Sequence, residues 1–489
     1  MTVQLSPMEA IMWRVGQDAS LRMTVGALVV VERAPSVDAL VERIAGAMAF
    51  TPRLRRRPED PAVIRVKSVW VDDPDPAPER HVRALTVAVP GSLRQVLDLV
   101  GLLESVPFDQ ECSPWDLTLI DGLEGGRAVI YVRAHHVLTD GVGGVRLLEL
   151  LLDEPGDGGA APTPVPVADV PNEPDVEPDT SRRRPPGTFT ITIDVLGAAR
   201  RLLSGVATAA EVDPVDSAVR VVQRALDVAN SVSRQLMVTG GSLSTRPVSP
   251  SLLSRFEVLS VDGARAAALA LGGSRNDLLV AAAAAGLGRY HGELGQPLPE
   301  LRLATPTSQR RDREVGGNWF APARLEVPTS IGRPGPQFGV VAERLAQARR
   351  EPALRIASTL AAALGRLPTR LLLPALHAQA DSIDFAATAL VGPRGDRHLC
   401  GEAVEATYPL GPRMGCPMNI TALGRGERLD IGIALDPSAV TDPDLLVACL
   451  ADAFESYVST ALDGRSVEGG SAVRRSATSS LRLGAPNPD

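Results

Sequence analysis

At 489 residues the chain is too long for one ordinary hydrophobic core, so two domains are the expectation. Its 44% of hydrophobic residues can fill a sizeable core, and a net charge of -8 gives no basic footprint for nucleic acid. The four cysteines (Cys112, Cys400, Cys416, Cys449) show no CxxC spacing, which argues against a zinc or thioredoxin-type motif and fits a reducing compartment.

The first residues, MTVQLSPMEA, lack a basic and an apolar leader region, so no secretory signal is expected. Ser6 suits a helix N-cap, Pro7 the first helical position and Glu9 the third. Gly26 to Val31 reads as a buried strand, and Val37 to Met48 as a helix through Leu40, Ile44 and Met48. Arg53 to Arg57 reads as a solvated basic turn. Ile64 to Val71 and Val82 to Val89 read as strands, and Leu93 to Leu103 as a helix. Trp115 to Ile120 and Ala128 to Ala134 flank the turn Gly122 to Gly126 and predict a hairpin.

From Glu154 to Thr188 the composition turns to Pro, Gly and Asp and predicts a flexible linker. Leu196 to Leu236 reads as mostly helical, interrupted at Pro214. Strands are expected at Phe256 to Leu259, Leu301 to Pro306, Ala323 to Val327, Ala386 to Leu390, Glu405 to Leu410, Met418 to Leu423 and Leu429 to Leu435. Helices are expected at Asp262 to Leu271, along the alanine-rich run Leu278 to Tyr290, at Gln337 to Glu351, at Leu354 to Leu373 with a break near Pro368, and at Asp444 to Leu462. The Ser-, Arg- and Gly-rich tail after Gly464 reads as disordered. The longest apolar runs, such as Leu278 to Leu287, fall short of a membrane span, so any membrane contact is expected to be peripheral. Both halves mix strands and helices, which predicts an α/β (α+β) protein.

Six histidines are present, and only His135 and His136 are adjacent. They stand where a strand hands over to a helix. Side chains alternate along a strand. His136 then shares a face with Ile130, Val132 and Ala134, and His135 shares the other with Tyr131 and Arg133. Diverging rings argue against one shared metal. A neutral imidazole can take a proton from an alcohol or thiol near pH 7. No GxSxG nucleophile motif accompanies the pair, so base catalysis on a bound hydroxyl is simpler than an acyl-enzyme. Asp140 could hold local backbone or an arginine, or merely cap the helix Val142 to Leu152. Gly141, Gly143 and Gly144 allow tight turning and close approach of a ligand.

The full run His135-His136-Val137-Leu138-Thr139-Asp140-Gly141 reads HHxxxDG. It resembles the signature of the CoA-dependent acyltransferase superfamily, which includes chloramphenicol acetyltransferase-like enzymes and peptide-synthetase condensation domains. Companion motifs follow in order: Leu5-Ser6-Pro7, His81-Val82, Ser113-Pro114-Trp115-Asp116, Asn276-Asp277-Leu278-Leu279-Val280-Ala281, Pro306-Thr307-Ser308-Gln309-Arg310, Gly317-Asn318, Tyr408-Pro409-Leu410-Gly411-Pro412 and Asn419-Ile420-Thr421. Over Leu5 to Val458 they resemble the LSP, HV, PLWE, NDVVLA, PVSLR, GN, YPLGP and NIT motifs of the bacterial wax ester synthase/diacylglycerol acyltransferase family.

The resemblance implies two chloramphenicol acetyltransferase-like domains with a central tunnel between them. The expected divisions are an acyltransferase domain at 1–153 with HHxxxDG, a linker at 154–188, a helical connector at 189–250, a second acyltransferase domain at 251–464 and a tail at 465–489. It implies acyl transfer from acyl-CoA, a co-substrate with no further cofactor or metal, to diacylglycerol or a fatty alcohol. The site set is His136 as general base, His135 and Asp140 beside it, and Gly141, Asn276, Asp277, Trp115 and Asn419 in binding or support. Ser274-x-x-Asp277 also reads as a capping box, Trp115 as packing, and Asn419 as a strand-end hydrogen bonder. A cytoplasmic protein is expected, peripheral on the inner membrane or on lipid droplets.

The family places an asparagine before its VPGP turn, whereas this chain reads Ala389-Leu390-Val391-Gly392-Pro393. The family's LN element is not evident at 240–247. Two other readings therefore stay open: the same fold acting on an amine, polyketide or short-chain alcohol, and a catalytically weak lipid-binding scaffold.

Overall fold

The computed structural model describes residues 3–60, 68–153, 251–308, 320–330, 332–351, 365 and 368–468. The expected linker at 154–188, the helical connector at 189–250, Gln309-Arg310 and Gly317-Asn318 lie outside these residues. So do 352–364 and 469–489, which take in part of the expected 354–373 helix and most of the expected tail.

The first half opens with β1 (Val3–Gln4) and helix α1 (Pro7–Val15). Ser6 and Glu9 close the expected capping box, each accepting from the other's backbone N–H. Next come β2 (Thr24–Val31), α2 (Val37–Phe50), β3 (Arg56–Glu59), β4 (Val69–Asp72), β5 (Val82–Thr86) and α3 (Leu93–Ser105). The hairpin β6 (Trp115–Asp121) and β7 (Ala128–His135) pairs antiparallel and leads into α4 (Gly141–Leu151).

The second half holds β8 (Arg255–Val261), α5 (Ala264–Ala270), α6 (Arg275–Glu293), β9 (Glu300–Ser308), β10 (Phe320–Pro328), α7 (Pro334–Arg349) and α8 (Thr369–Ala380). Helix α8 starts directly after Pro368, where the sequence predicts a break. β11 (Phe385–Val391), β12 (His398–Leu399), β13 (Glu402–Leu410), β14 (Met418–Arg425), β15 (Arg428–Leu435) and α9 (Pro443–Glu468) complete it.

Two six-stranded sheets organise the protein, with a small β1-β4-β3 sheet beside them. The second large sheet runs β10-β9-β11-β14-β15-β8. The first runs β12-β13-β2-β7-β6-β5, so two of its strands come from late in the chain. Strand β13 pairs antiparallel with β2, from Val404 opposite Val31 to Leu410 opposite Gly26.

One face of the first sheet carries Val29, Val31, Leu117, Leu119 and Ile130 against Leu40, Ile44 and Met48 of α2 and Leu148 and Leu151 of α4. Its other face carries Leu28, Val30, Val129 and Tyr131 against Val96, Leu97 and Val100 of α3, with Phe256 and Tyr408 of the second half. The alternation expected along β7 is thus visible in its packing. In the second half, small side chains let two helices close up: Ala281 to Ala284 are fully buried, and a β-carbon at Gly286 would stand 2.8 Å from the Leu450 backbone.

Helix α9 contains the one stretch among the described residues, Pro443–Leu462, long and apolar enough to cross a membrane by composition. Its Leu446, Leu450, Phe454 and Tyr457 are buried in the core of the second half.

The basic run Arg53 to Arg57 is not the solvated turn that its composition suggests. Arg53 stacks over the Trp70 ring at 4.8 Å and pairs with the buried Glu9 at 2.5 Å. Arg56 pairs with Asp72, and Arg57 with Glu59. The apolar stems pack while carboxylates meet the charged heads.

Candidate active site

His135 is the last residue of β7, opposite Thr24 of β2, and its N–H donates to Pro114 O at 2.8 Å. Its ring lies on the Arg133 face, as alternation requires: Phe108 meets His135 at 6.4 Å between centroids and Arg133 at 4.7 Å. Trp13 of α1 meets the ring edge-on at 5.2 Å. His135 Nδ1 accepts from the Val137 N–H at 3.1 Å, which places the proton of the neutral ring on Nε2. Burial, helped by the neighbouring His136, pushes its pKa down to about 3.

His136 begins the loop between β7 and α4. It is 8% exposed, and its N–H donates to Met23 O at 2.6 Å. The Leu138 N–H donates to His135 O at 3.0 Å. Asp140, 6% exposed, is the N-cap of α4: its Oδ1 accepts from the Gly143 N–H at 2.9 Å. A side chain at Gly143 would run into Thr139 Oγ1.

The second half meets this loop at Gly141. A β-carbon there would stand 3.0 Å from Leu390 Cδ2 on β11. Leu390 belongs to the run Ala389 to Pro393. Asn276, at the start of α6, holds the same strand: its Oδ1 accepts from the Ala389 N–H at 3.0 Å. Asn276, β11, Leu390 and Gly141 therefore form one connected path to the histidine loop.

The other singled-out residues hold backbone. Asp277 accepts from Ser274 N–H at 2.8 Å and from its hydroxyl at 2.7 Å in the capping box of α6, with Arg349 3.8 Å from its other oxygen. Trp115 stacks on His81 at 4.0 Å and donates its indole N–H to Leu54 O at 2.9 Å. The next residue, Asp116, pairs with Arg133 in a buried ion pair at 2.8 Å. Asn419 donates to Pro412 O at 2.8 Å and accepts from the Thr421 hydroxyl at 2.7 Å, clamping the turn after β13.

Interior strands of a six-stranded sheet are normally covered on both faces. Here Val25, Gly26 and Ala27 of β2, Val132 and Ala134 of β7, and Ala386, Thr388 and Leu390 of β11 are only partly buried, although all three strands have neighbours on both sides. Val132, Ala134 and Leu390 pack from the edge against the core that α2 and α4 cover. Val142 and Val391, the residues after Gly141 and Leu390, are exposed. A separate cavity of about 610 Å³ lies between α6, α9 and the loop after β10. None of the residues singled out from the sequence lines it.

Gly16 escapes sequence reading, since it looks like an ordinary helix C-cap; the run Ala389 to Pro393 stands out in the sequence, but the contact Leu390 makes does not. A β-carbon at Gly16 would run into the His135 ring, and Leu390 meets Gly141; these partners lie more than 100 and 200 residues away in sequence, and no local pattern reports such contacts.

Two mixed sheets, the first completed by strands from the other half, and a histidine pair at a hairpin end define a two-domain protein of the chloramphenicol acetyltransferase-like class. Solved structures share this fold. The wax ester synthase/diacylglycerol acyltransferase from Marinobacter aquaeolei VT8 matches with a TM-score of 0.63 at 19% identity, covering 94% of this chain and 100% of that one. The first condensation domain of the calcium-dependent antibiotic synthetase matches with a TM-score of 0.57 at 15% identity, covering 95% and 97%. The family model for the wax ester synthase/diacylglycerol acyltransferase catalytic domain matches residues 5–279, and that for the family's C-terminal domain matches residues 316–457. The chain belongs to the wax ester synthase/diacylglycerol acyltransferase family. A Mycobacterium tuberculosis protein assigned as a diacylglycerol O-acyltransferase is 29% identical over 477 residues, 94% of this chain and 92% of that protein. A second protein of that organism with the same assignment is 25% identical over 454 residues, 90% and 92%.

Proposed function

We propose that the protein is an acyl-CoA-dependent O-acyltransferase that moves a fatty acyl group to diacylglycerol or a long-chain alcohol, making triacylglycerol or wax ester, with His136 as general base. The observation that carries this reading is the placement of His136. It is buried, its backbone is tied to Met23, and its loop ends where Gly141 meets Leu390 of the other half.

The reaction balances with one base. The His136 imidazole takes the proton of the acceptor hydroxyl as its oxygen attacks the thioester carbonyl. The tetrahedral intermediate collapses, the C–S bond breaks, and the imidazolium returns the proton to the CoA thiolate. The products are the ester and free CoA. Asp140 holds the loop rather than relaying protons. Asn276 fixes β11, and through it Leu390, against the loop. The acceptors are lipids, so the enzyme meets a lipid surface, as a peripheral protein of the inner membrane or of lipid droplets.

Free CoA release from acyl-CoA with diacylglycerol, fatty alcohol, short-chain alcohol and amine acceptors tests the reading. His136→Ala is expected to slow release by about 10² to 10⁴ in a folded protein. Release at the wild-type rate would remove His136 from the chemistry. The exchange of the family's asparagine for the aliphatic run Ala389-Leu390 favours a second reading, in which the acceptor is not a diacylglycerol or fatty alcohol; the acceptor panel separates the two. Saturable lipid binding without CoA release would mark a scaffold instead.

A further inference from the structure

We propose that Gly16 and His135 form a positioning device that sets the loop carrying His136. The inference rests on the reading of His136 as the base. Gly16 caps α1 with φ of -62°, a conformation open to every residue, so its backbone does not require glycine. The requirement is spatial: a β-carbon at 16 would overlap His135 Nε2, stand 3.2 Å from Cε1 and lie 2.9 Å from the Met12 carbonyl oxygen of α1 itself. Glycine lets the imidazole lie directly on the end of α1, between Trp13 and Phe108.

So placed, His135 organises the residues that follow it. Its Nδ1 accepts from the Val137 N–H at 3.1 Å and its carbonyl from the Leu138 N–H at 3.0 Å, while the His136 N–H is tied to Met23 O at 2.6 Å. Three consecutive amides are thereby fixed, two of them by His135 itself. The ring must be neutral with its proton on Nε2, because Nδ1 is an acceptor. Nε2 has no hydrogen-bond partner among the described residues. Nothing there favours the other tautomer, and an inclined aromatic ring is a weak acceptor for an N–H. The Val137 N–H thus selects the ring form, and the pocket of Trp13, Gly16 and Phe108 fixes where the ring lies. A misplacement of about 1 Å in such a loop can cost on the order of 10²-fold in rate.

Three variants test this. In His135→Asn the carboxamide oxygen can accept from the N–H two residues on, as in an Asx-turn. His135→Leu fills comparable space without an acceptor. Gly16→Ala pushes the ring away. The expected result is a kcat loss of about 10- to 100-fold for His135→Leu and Gly16→Ala with little change in the KM for acyl-CoA, and recovery to within about 10-fold of wild type for His135→Asn. The double variant Gly16→Ala/His135→Asn should exceed Gly16→Ala alone, because the shorter side chain relieves the overlap. Equal losses in His135→Asn and His135→Leu, following the folded fraction by circular dichroism, would overturn the positioning role. A readout independent of turnover is ¹⁵N-histidine NMR of the wild-type protein. A bare Nδ1 and a protonated Nε2 at His135, unchanged from pH 8 to pH 5, support the device, and the opposite tautomer sinks it. Absence of CoA release from the wild type would sink the acyltransferase reading while the NMR result still decides the geometry.

Discussion

Leu390, from the second half, lies against Gly141, the residue that opens the helix after the histidine loop. The contact joins the two halves at the end of the His136 loop, and a β-carbon at 141 would make it tight, at 3.0 Å from Leu390 Cδ2. Gly141→Ala overpacks it, and overpacking costs roughly 1–3 kcal/mol. The expected outcome is a fall in kcat/KM of about 5- to 150-fold, largely recovered in Gly141→Ala/Leu390→Ala. A double-mutant cycle on CoA release checks this; additive effects would show that the contact is not responsible.

Asp140 reads as a cap in the structure, and a cap can be tested apart from a charge. Asparagine caps about as well as aspartate, whereas alanine costs about 1 kcal/mol. Asp140→Asn should keep the thermal midpoint and most of the turnover. Asp140→Ala should lower both. If Asp140→Asn loses as much activity as Asp140→Ala while its midpoint holds, the carboxylate charge does more than cap.

The buried pair Asp116–Arg133 supports the floor of the site. Arg133 also donates to the carbonyls of Leu103 and Val106 and lies over Phe108, which meets His135. Removing one partner of such a pair strands a buried charge at a cost of roughly 3–5 kcal/mol. Asp116→Ala should therefore destabilise the fold by that order in urea unfolding. A loss under 1 kcal/mol would mean that the guanidinium finds water.

Acid should weaken the fold partly through His135. Its pKa falls from 6.5 to about 3 on folding because burial disfavours the charged ring. Below pH 6.5 the unfolded chain takes up a proton that the folded chain refuses, so stability falls as pH drops from 6.5 towards 3. At pH 5 this amounts to about 2 kcal/mol. Burial lowers His81 and His291 as well, and these add in the same direction. Comparing urea midpoints at pH 7.5 and pH 5 for wild type and His135→Asn isolates the His135 share; an identical drop in both would refute it.

Much of the local structure was legible in the sequence. Ser6 and Ser274 announce their capping boxes, and the two β-branched runs around Gly122 to Gly126 announce their hairpin, because these signals reside in adjacent residues. The period-two alternation that separates His135 from the Ile130 face is legible for the same reason. What escaped is whatever depends on residues far apart in the chain. The turn at Arg53 could not show Trp70, and Gly16 could not show His135. Nothing in Glu402 to Leu410 says that its neighbour is β2 rather than a strand close in sequence. The motif residues Asn276 and Trp115 stand out in the sequence, but that one grips the backbone of β11 and the other stacks on His81 is visible only in three dimensions.

Strand β13 has a consequence for anyone recombining this protein with its relatives. A crossover between residues 153 and 251 separates the two groups of described elements along the chain. It would nonetheless give β2 a neighbour from a foreign parent, because residues 402–410 travel with the later part of the gene. A chimera designed to exchange the histidine half intact must carry β12 and β13, residues 398–410, along with it, in two crossovers more.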